Sequence, residues 1–196
     1  SECTRRTKKE ISLSDVPNEP EGENGGIYSD DQLIKLLGIE WPVRSIVSDK
    51  SHSFRLQELA GADLAFVAEL GGYVAWNGSH WLSGGKDGAG QIEAAQRVLT
   101  IGAHMRPQED LLFDYYLLLS TEKARAELEF GQDSYQYKQA ARRANAMKNA
   151  YSRHVKAAQS TEGDSKTKAI LNAARPLFRQ AVSLFEPRPW VVGFQN

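Results

Sequence analysis

The second half of the chain carries helical spacing of apolar residues almost without interruption. From about residue 91 to about residue 159 apolar positions recur at helical intervals, and only Pro107 and Gly131 break the pattern. Such a period is typical of helices that bury one face, so we expect most of the chain to be α-helical. The predicted helices cover residues 91–104, 108–130 and 133–159, and another begins near Asp164.

Helices are also expected in the first half of the chain. Ser29 is followed three residues later by Gln32, which is a capping-box pattern, and Gly38 is placed to end the helix that follows. Helical spacing then runs from Leu56 to Leu70, with a break at residues 61–63 before a second helix.

One short segment has the pattern of a β-hairpin instead. Asn77-Gly78 separates two runs rich in aromatic and β-branched residues, and this dipeptide favours a two-residue type I′ turn. In that register Trp76 pairs with Ser79, and Trp81 lies diagonally across on the same face. The two tryptophans could stack on nucleic-acid bases, or they could anchor the hairpin to the helices beneath it.

The expected fold is therefore mainly α: a multi-helix domain with one small two-stranded β-hairpin at about residues 73–82. Residues 1–27 are polar, rich in Glu, Pro and Gly, and lack an apolar period, which predicts a flexible linker. The helical domain is expected to cover residues 28–196.

Neither a membrane span nor a secretion signal is evident. No apolar run approaches the ~20 residues of a membrane-spanning helix, and no apolar stretch follows the N-terminus. Cys3 is the single cysteine, so an internal disulfide is excluded. These features predict a cytoplasmic protein.

Basic residues are concentrated near the C-terminal end, although the formal net charge is only -1. The segment from Lys138 to Gln180 contains ten lysines and arginines, the last of which is Arg179, but only two acidic residues, Glu162 and Asp164. Clustered cations gain affinity for nucleic acid by releasing counterions, whereas the alternative is a solvated helix face. The candidate nucleic-acid-binding residues are Lys138, Arg142, Arg143, Lys148, Arg153, Lys156, Lys166, Lys168 and Arg175.

Residues for catalysis or metal binding are not arranged in any pattern that we can interpret as a site. Gly84–Gly90 invites a phosphate-loop interpretation, but Lys86 is followed by Asp87 rather than Ser or Thr, so a mobile connector is favoured. The histidines lack the spacing of metal ligands, and each is expected to be exposed or half-buried. They are His52, His80, His104 and His154.

Several short motifs follow one another in a recognisable order. Leu64–Val67 precedes a short gap and then Tyr73–Trp81, in which Asn-Gly separates two tryptophans. Ala158–Ser160, Ile170–Arg175 and Pro189–Asn196 follow. This order resembles the domain that precedes superfamily-3 helicases in phage, plasmid and poxvirus replication proteins.

The resemblance covers roughly residues 60–196, and it departs from the family at Glu186, where aspartate is usual, and at Gly193, where asparagine is usual. It implies a parent protein of a bacterial host cell that unwinds DNA with ATP and Mg, often with a primase domain before it. The implied partners are single-stranded or forked DNA, the adjacent primase and helicase domains, and further copies in a hexamer. We expect no catalytic residue, metal or cofactor within this chain, and a motor beyond residue 196.

Two other interpretations stay open. One is a protein-docking or oligomerisation module without DNA binding, whose interface would lie around Leu111, Phe113, Tyr115 and Leu118. The other is a nucleotide hydrolase that uses Lys86 in the glycine loop.

Overall fold

The computed structural model describes residues 11–21, 26–85, 87–181 and 184–185. These residues form a mainly helical structure, as predicted, together with a small mixed sheet. The helices are α1 (Asp30–Leu37), α2 (Asp49–Ala60), α3 (Ala89–Leu99), α4 (Ile101–Phe130), α5 (Tyr135–Ser160) and α6 (Asp164–Phe178). The strands are β1 (Leu64–Val67), β2 (Gly72–Trp76), β3 (Trp81–Leu82) and β4 (Arg179–Gln180).

The chain divides into two compact units. The first comprises residues 1–46 and 105–156 and holds α1 with most of α4 and α5. The second comprises residues 47–104 and 157–196 and holds α2, α3, α6 and the sheet. Among the helices that the structure describes, none combines the length and the hydropathy needed to cross a bilayer. The predicted boundary between a linker and a helical domain at residue 27 stays a prediction.

The start of α1 has the predicted capping box. The Ser29 hydroxyl accepts the Gln32 backbone N–H at 3.3 Å, and the Gln32 side-chain oxygen accepts the Ser29 N–H at 3.0 Å. Gly38 ends the helix in the left-handed conformation, with φ 63. Both ends of α1 are therefore fixed by the residues that directly flank it, which is why the sequence alone predicts them.

Part of the predicted linker contacts the helices of the first unit. Leu13–Asp15 form a short 3-10 helix, and Val16, which follows it, is 2% exposed. The Gln32 side-chain amide donates to the Glu19 carbonyl oxygen at 2.8 Å. Within residues 11–21, Val16 is therefore buried and Glu19 is hydrogen-bonded to α1.

The prediction that Pro107 separates two helices is wrong. α4 continues through Pro107, and the interruption lies earlier, at Thr100 between α3 and α4. Proline removes only the hydrogen bond to the carbonyl of Ala103, an exposed residue whose carbonyl water can reach. Meanwhile Met105 and Leu112, on either side of the proline, are both fully buried, and this burial holds the helix together.

The sheet of the second unit has the strand order β3-β2-β1-β4. β1 and β3 are antiparallel to β2, whereas β4 is parallel to β1. Side chains alternate between the two faces of a strand, so paired residues share a face. One face carries Leu64, Phe66, Tyr73 and Ala75, and the other carries Ala65, Val67, Val74, Trp76 and Trp81. The Tyr73 hydroxyl donates to the Leu171 carbonyl oxygen at 2.6 Å, which ties the first face to α6.

The helix predicted after residues 61–63 is instead β1 and a short 3-10 helix. Leu64 pairs with Ala75 and Val67 with Gly72 across the antiparallel ladder. A four-residue apolar run fits either a buried strand or a buried helix turn, and here the pairing with β2 decides between them. The sheet therefore has four strands, not the two of the predicted hairpin.

The hairpin exists, but its predicted register is wrong. Trp76 pairs with Trp81, so four residues rather than two form the connection. The Asn77 side-chain oxygen accepts the backbone N–H groups of Ser79 and His80, each at 3.0 Å. The asparagine side chain thus organises the loop itself, in place of the type I′ turn that Asn-Gly predicts.

Candidate nucleic-acid interface

One exposed face of α5 carries three of the predicted basic residues. Arg142 lies one turn after Lys138, and Lys156 lies about five turns, or about 27 Å, further along the axis from Lys138. All three side chains are exposed. Asn145 and Asn149 fall between them on the same face and are exposed as well. We call this surface, Lys138 to Lys156, the α5 face.

Lysines of α5 have no acidic partner in the described part of the chain. No carboxylate there lies within ion-pair distance of Lys138 or Lys156, or of Lys148, which is exposed beside the α5 face. Their ammonium groups are therefore presented to solvent, where an external phosphate can reach them.

Two other predicted residues of α5 form ion pairs within the first unit. Arg143 is 8% exposed, and its Nη1 donates to both carboxylate oxygens of Glu122, at 3.0 and 2.9 Å. Arg153 pairs with Asp30 at the start of α1. Because these guanidinium groups already bind carboxylates, they are less accessible to DNA phosphates than the lysines.

The predicted basic residues of α6 also include one that forms an ion pair and two that are exposed. Lys166 Nζ lies 2.7 Å from Asp49 Oδ1 on α2, which joins these two helices. Lys168 and Arg175 are exposed, as is Arg179 in β4. The Arg175 guanidinium lies over the Phe66 ring, 5.0 Å from its centroid, and this contact fixes its position on the sheet.

A groove follows the exposed side of α6. A cavity of about 470 Å³ lies between α3 and α6, with Gln91 and Ile92 on one wall and Lys168 and Asn172 on the other. A second cavity of about 460 Å³ is lined by Phe66, Ala68, Arg175, Pro176 and Arg179. Arg175 lines both cavities, so they adjoin at its side chain. We call the two together the α6 groove.

The predicted basic residues are thus brought together as two groups rather than one. The α5 face belongs to the first unit, and the α6 groove belongs to the second. Phe66, Gln91 and Asn172 line the groove but were not predicted. Leu64–Val67 is apolar throughout, so no alternation in the sequence could have placed Phe66 on a sheet face.

The hairpin tryptophans contact each other and one further aromatic ring. Their ring centroids are 5.7 Å apart, and Trp81 meets Phe185 edge-on at 4.9 Å. Arg97 Nη2 donates to the Trp76 carbonyl oxygen at 3.0 Å, which fastens the hairpin to α3. Trp81 is still 37% exposed. The contacts account for a structural role, and base stacking by either ring stays a prediction.

Glycines of β2 and of the loop before α3 allow close backbone packing. A Cβ at Gly72 would lie 2.6 Å from the Gly85 carbonyl oxygen, and one at Gly88 would lie 2.3 Å from the Gly84 carbonyl oxygen. Either atom would clash with backbone that cannot move aside. The spacing of these glycines thus has a steric cause that involves no phosphate. Lys86 lies outside the described residues.

The expectation that every histidine is exposed or half-buried is wrong for two of them. His52 and His154 are fully buried. His154 lies two turns after Met147, on the inward face of α5. His80 is exposed, and His104 lies 3.4 Å from a Glu58 oxygen. Among the described residues, no cluster of three or more His, Cys, Asp or Glu side chains could hold a metal ion.

Two buried polar groups of the second unit, Tyr73 and Arg55, have shifted pKa values. Burial raises the pKa of Tyr73 well above its ordinary value, and Arg175 opposes part of this shift. The Tyr73 hydroxyl therefore keeps its proton and remains a hydrogen-bond donor. Burial lowers the pKa of Arg55 to about 10, partly opposed by Glu58, so this fully buried guanidinium stays charged at neutral pH.

No protein-family model, curated protein or solved structure matches this chain.

Proposed function

We propose that this chain is a non-catalytic domain of a phage or plasmid DNA replication protein. It precedes an ATP-dependent helicase motor and contacts DNA through the α5 face. The assignment to replication proteins rests on the tryptophan hairpin and the motifs that follow it, and the DNA contact rests on the exposed cations. ATP and Mg belong to the motor of the parent protein, and a primase domain is its other neighbour.

The observation that carries the DNA contact is the division of the basic residues into two kinds. Arg143, Arg153 and Lys166 form ion pairs with carboxylates of the chain itself. Lys138, Lys148 and Lys156 point to solvent, and no carboxylate of the described residues neutralises them. A solvated helix face that only aids solubility needs no excess of one charge, whereas phosphate binding does.

A docking module is the second candidate, and the exposed apolar residues of α4 favour it. Leu117 is 47% exposed, Leu128 is 89% exposed and Phe113 is 40% exposed. Tyr115, one of the residues expected at a subunit interface, is 1% exposed and belongs to the core. A docking surface on α4 would therefore use Phe113 and Leu117. Sedimentation equilibrium of the unchanged chain and of the Leu117→Glu variant tests this candidate. If the chain associates through α4, the unchanged chain should be an oligomer and the variant should be a monomer.

Fluorescence anisotropy with labelled single-stranded and forked DNA tests the proposed function. The informative variant is Lys138→Glu/Arg142→Glu/Lys156→Glu, since all three residues are exposed on the α5 face. We expect it to lower affinity at low salt by a factor on the order of 100, from the loss of about three phosphate contacts. Arg143 and Arg153 are avoided, because their replacement would break ion pairs of the fold.

A matched control is Lys35→Glu/Arg44→Glu/Lys50→Glu. It changes the net charge by the same amount at exposed positions of α1, the following loop and α2. The control should bind DNA within about threefold of the unchanged chain, a margin we allow for long-range charge effects. Equal losses in the two variants would mean that total charge, and not the α5 face, governs binding. Absence of binding by the unchanged chain at low salt would leave docking as the function.

A further inference from the structure

The walls of the α6 groove differ in charge along their length. Lys168, Asn172 and Arg175 follow one another at four and three residues, so they lie on one side of α6, and Arg179 lines the second cavity from β4. Lys168 and Arg175 are about 10 Å apart along the axis of α6. Asp87 and Asp164 line the opposite end of the groove. An extended anion with several charges fits the basic end, and the acidic end repels it.

The floor of the groove presents an aromatic surface. The Phe66 ring meets Tyr73 edge-on at 5.3 Å and carries the Arg175 guanidinium over its face. The guanidinium is thus held over the Phe66 ring while Arg175 remains exposed and lines both cavities. A guanidinium plane supported in this way is a surface on which a nucleobase can stack.

The remaining side chains of the groove suit base edges better than phosphates. Ile92 is 57% exposed on the α3 wall and offers apolar contact. Asn172 is exposed opposite it, and the Gln91 side-chain oxygen accepts the Tyr73 N–H at 3.3 Å, which leaves its amide N–H groups as donors. Phosphate, aromatic and base-edge contacts are therefore available side by side.

We infer that the α6 groove binds a segment of single-stranded DNA, with phosphates on Lys168, Arg175 and Arg179 and a base stacked on Arg175. This inference rests on the proposed function, since it names the form of DNA and adds a site in the second unit. Paired bases in a duplex are stacked and cannot enter cavities of this size, so the groove discriminates against duplex.

The test compares anisotropy of the full chain with a labelled oligothymidylate and with a blunt duplex. In the groove variant, Lys168→Glu/Arg179→Glu, we expect affinity for the oligothymidylate to fall about tenfold or more while duplex affinity changes less than about twofold. Phe66→Leu keeps the apolar contact but removes the ring, and we expect about a fivefold loss for the single strand alone. The control is Arg44→Glu/Lys50→Glu, with the same change of charge and single-strand affinity within about twofold.

The outcomes separate this inference from the proposed function. If the chain binds DNA through the α5 face but the groove variant keeps full affinity for the single strand, the inference is overturned and the proposed function stands. Equal losses for single strand and duplex overturn it as well, because the groove would then supply only general charge. Competition by millimolar thymidine monophosphate would identify a free-nucleotide pocket and exclude the strand site. If the chain binds no DNA, both fail together.

Discussion

Arg143 is the predicted DNA-binding residue whose structural setting most clearly indicates another role. Its Nη1 donates to both Glu122 oxygens, the arginine is 8% exposed, and the Glu122 side chain is 31% exposed. Removing one partner of a fully buried ion pair costs about 3–5 kcal/mol. Partial exposure of Glu122 allows water to solvate the carboxylate left behind, so we expect Arg143→Met to lower the free energy of unfolding by about 2–3 kcal/mol.

Urea unfolding followed by circular dichroism measures this change, and Lys148→Met on the same helix is the control. The control should stay within about 0.5 kcal/mol, because Lys148 is exposed. Glu122→Gln/Arg143→Met should recover at least about 1 kcal/mol of the loss, since no unpaired charge remains. Below the unfolding transition, Arg143→Met should bind DNA within about twofold of the unchanged chain, as expected if this cation adds no phosphate contact. An Arg143→Met chain as stable as Lys148→Met, with a large loss of DNA affinity, would show that Arg143 contributes a phosphate contact and not a stabilising ion pair.

Three further predictions concern the fold. A Cβ at Gly90 in α3 would lie 2.5 Å from the Tyr73 carbonyl oxygen in β2, so Gly90→Ala should lower the free energy of unfolding by about 1–3 kcal/mol. An unchanged melting temperature would contradict this close packing of α3 on β2. Asn77→Ala removes the acceptor that organises the hairpin loop and should cost about 1 kcal/mol, whereas Asn77→Asp, which keeps the oxygen, should cost less. Burial, with Asp15 beside the hydroxyl, raises the pKa of Tyr115 to about 12. The stability that this raised pKa provides is complete below pH about 10 and is lost as pH rises through about 12. The free energy of unfolding of Tyr115→Phe should therefore fall less than that of the unchanged chain between these two pH values. Equal pH slopes for both chains in urea unfolding would exclude this assignment.

Local sequence signals predicted the helices, but two of the four strands were not predicted because they form only by pairing with distant parts of the chain. The Ser29 capping box and the left-handed Gly38 act within α1 itself, so a short window of sequence contains them. β1 is an apolar run without a period of its own, and its conformation depends on β2. β4 is a two-residue pairing at Arg179–Gln180, where the sequence carries no strand signal at all.

The candidate interface was predictable in composition but not in arrangement. An excess of cations between Lys138 and Arg179 is visible in the sequence, yet their partners lie far along the chain. Arg142 and Arg143 are neighbours, but about 100° of rotation around the helix separates them, so one is exposed and the other binds Glu122. Such pairings depend on tertiary packing, and no local pattern contains them.

DNA binding by the α5 face is tested most directly by the slope of log affinity against log salt concentration for a single-stranded oligonucleotide. Each phosphate that the chain binds contributes about 0.7 to the magnitude of this slope. If Lys138, Arg142 and Lys156 each bind a phosphate, reversing all three should reduce the magnitude by about 2, and the control Lys35→Glu/Arg44→Glu/Lys50→Glu should leave it unchanged. A slope near zero for the unchanged chain would contradict DNA binding by the α5 face. Equal slopes for the α5-face variant and the control variant would contradict it as well.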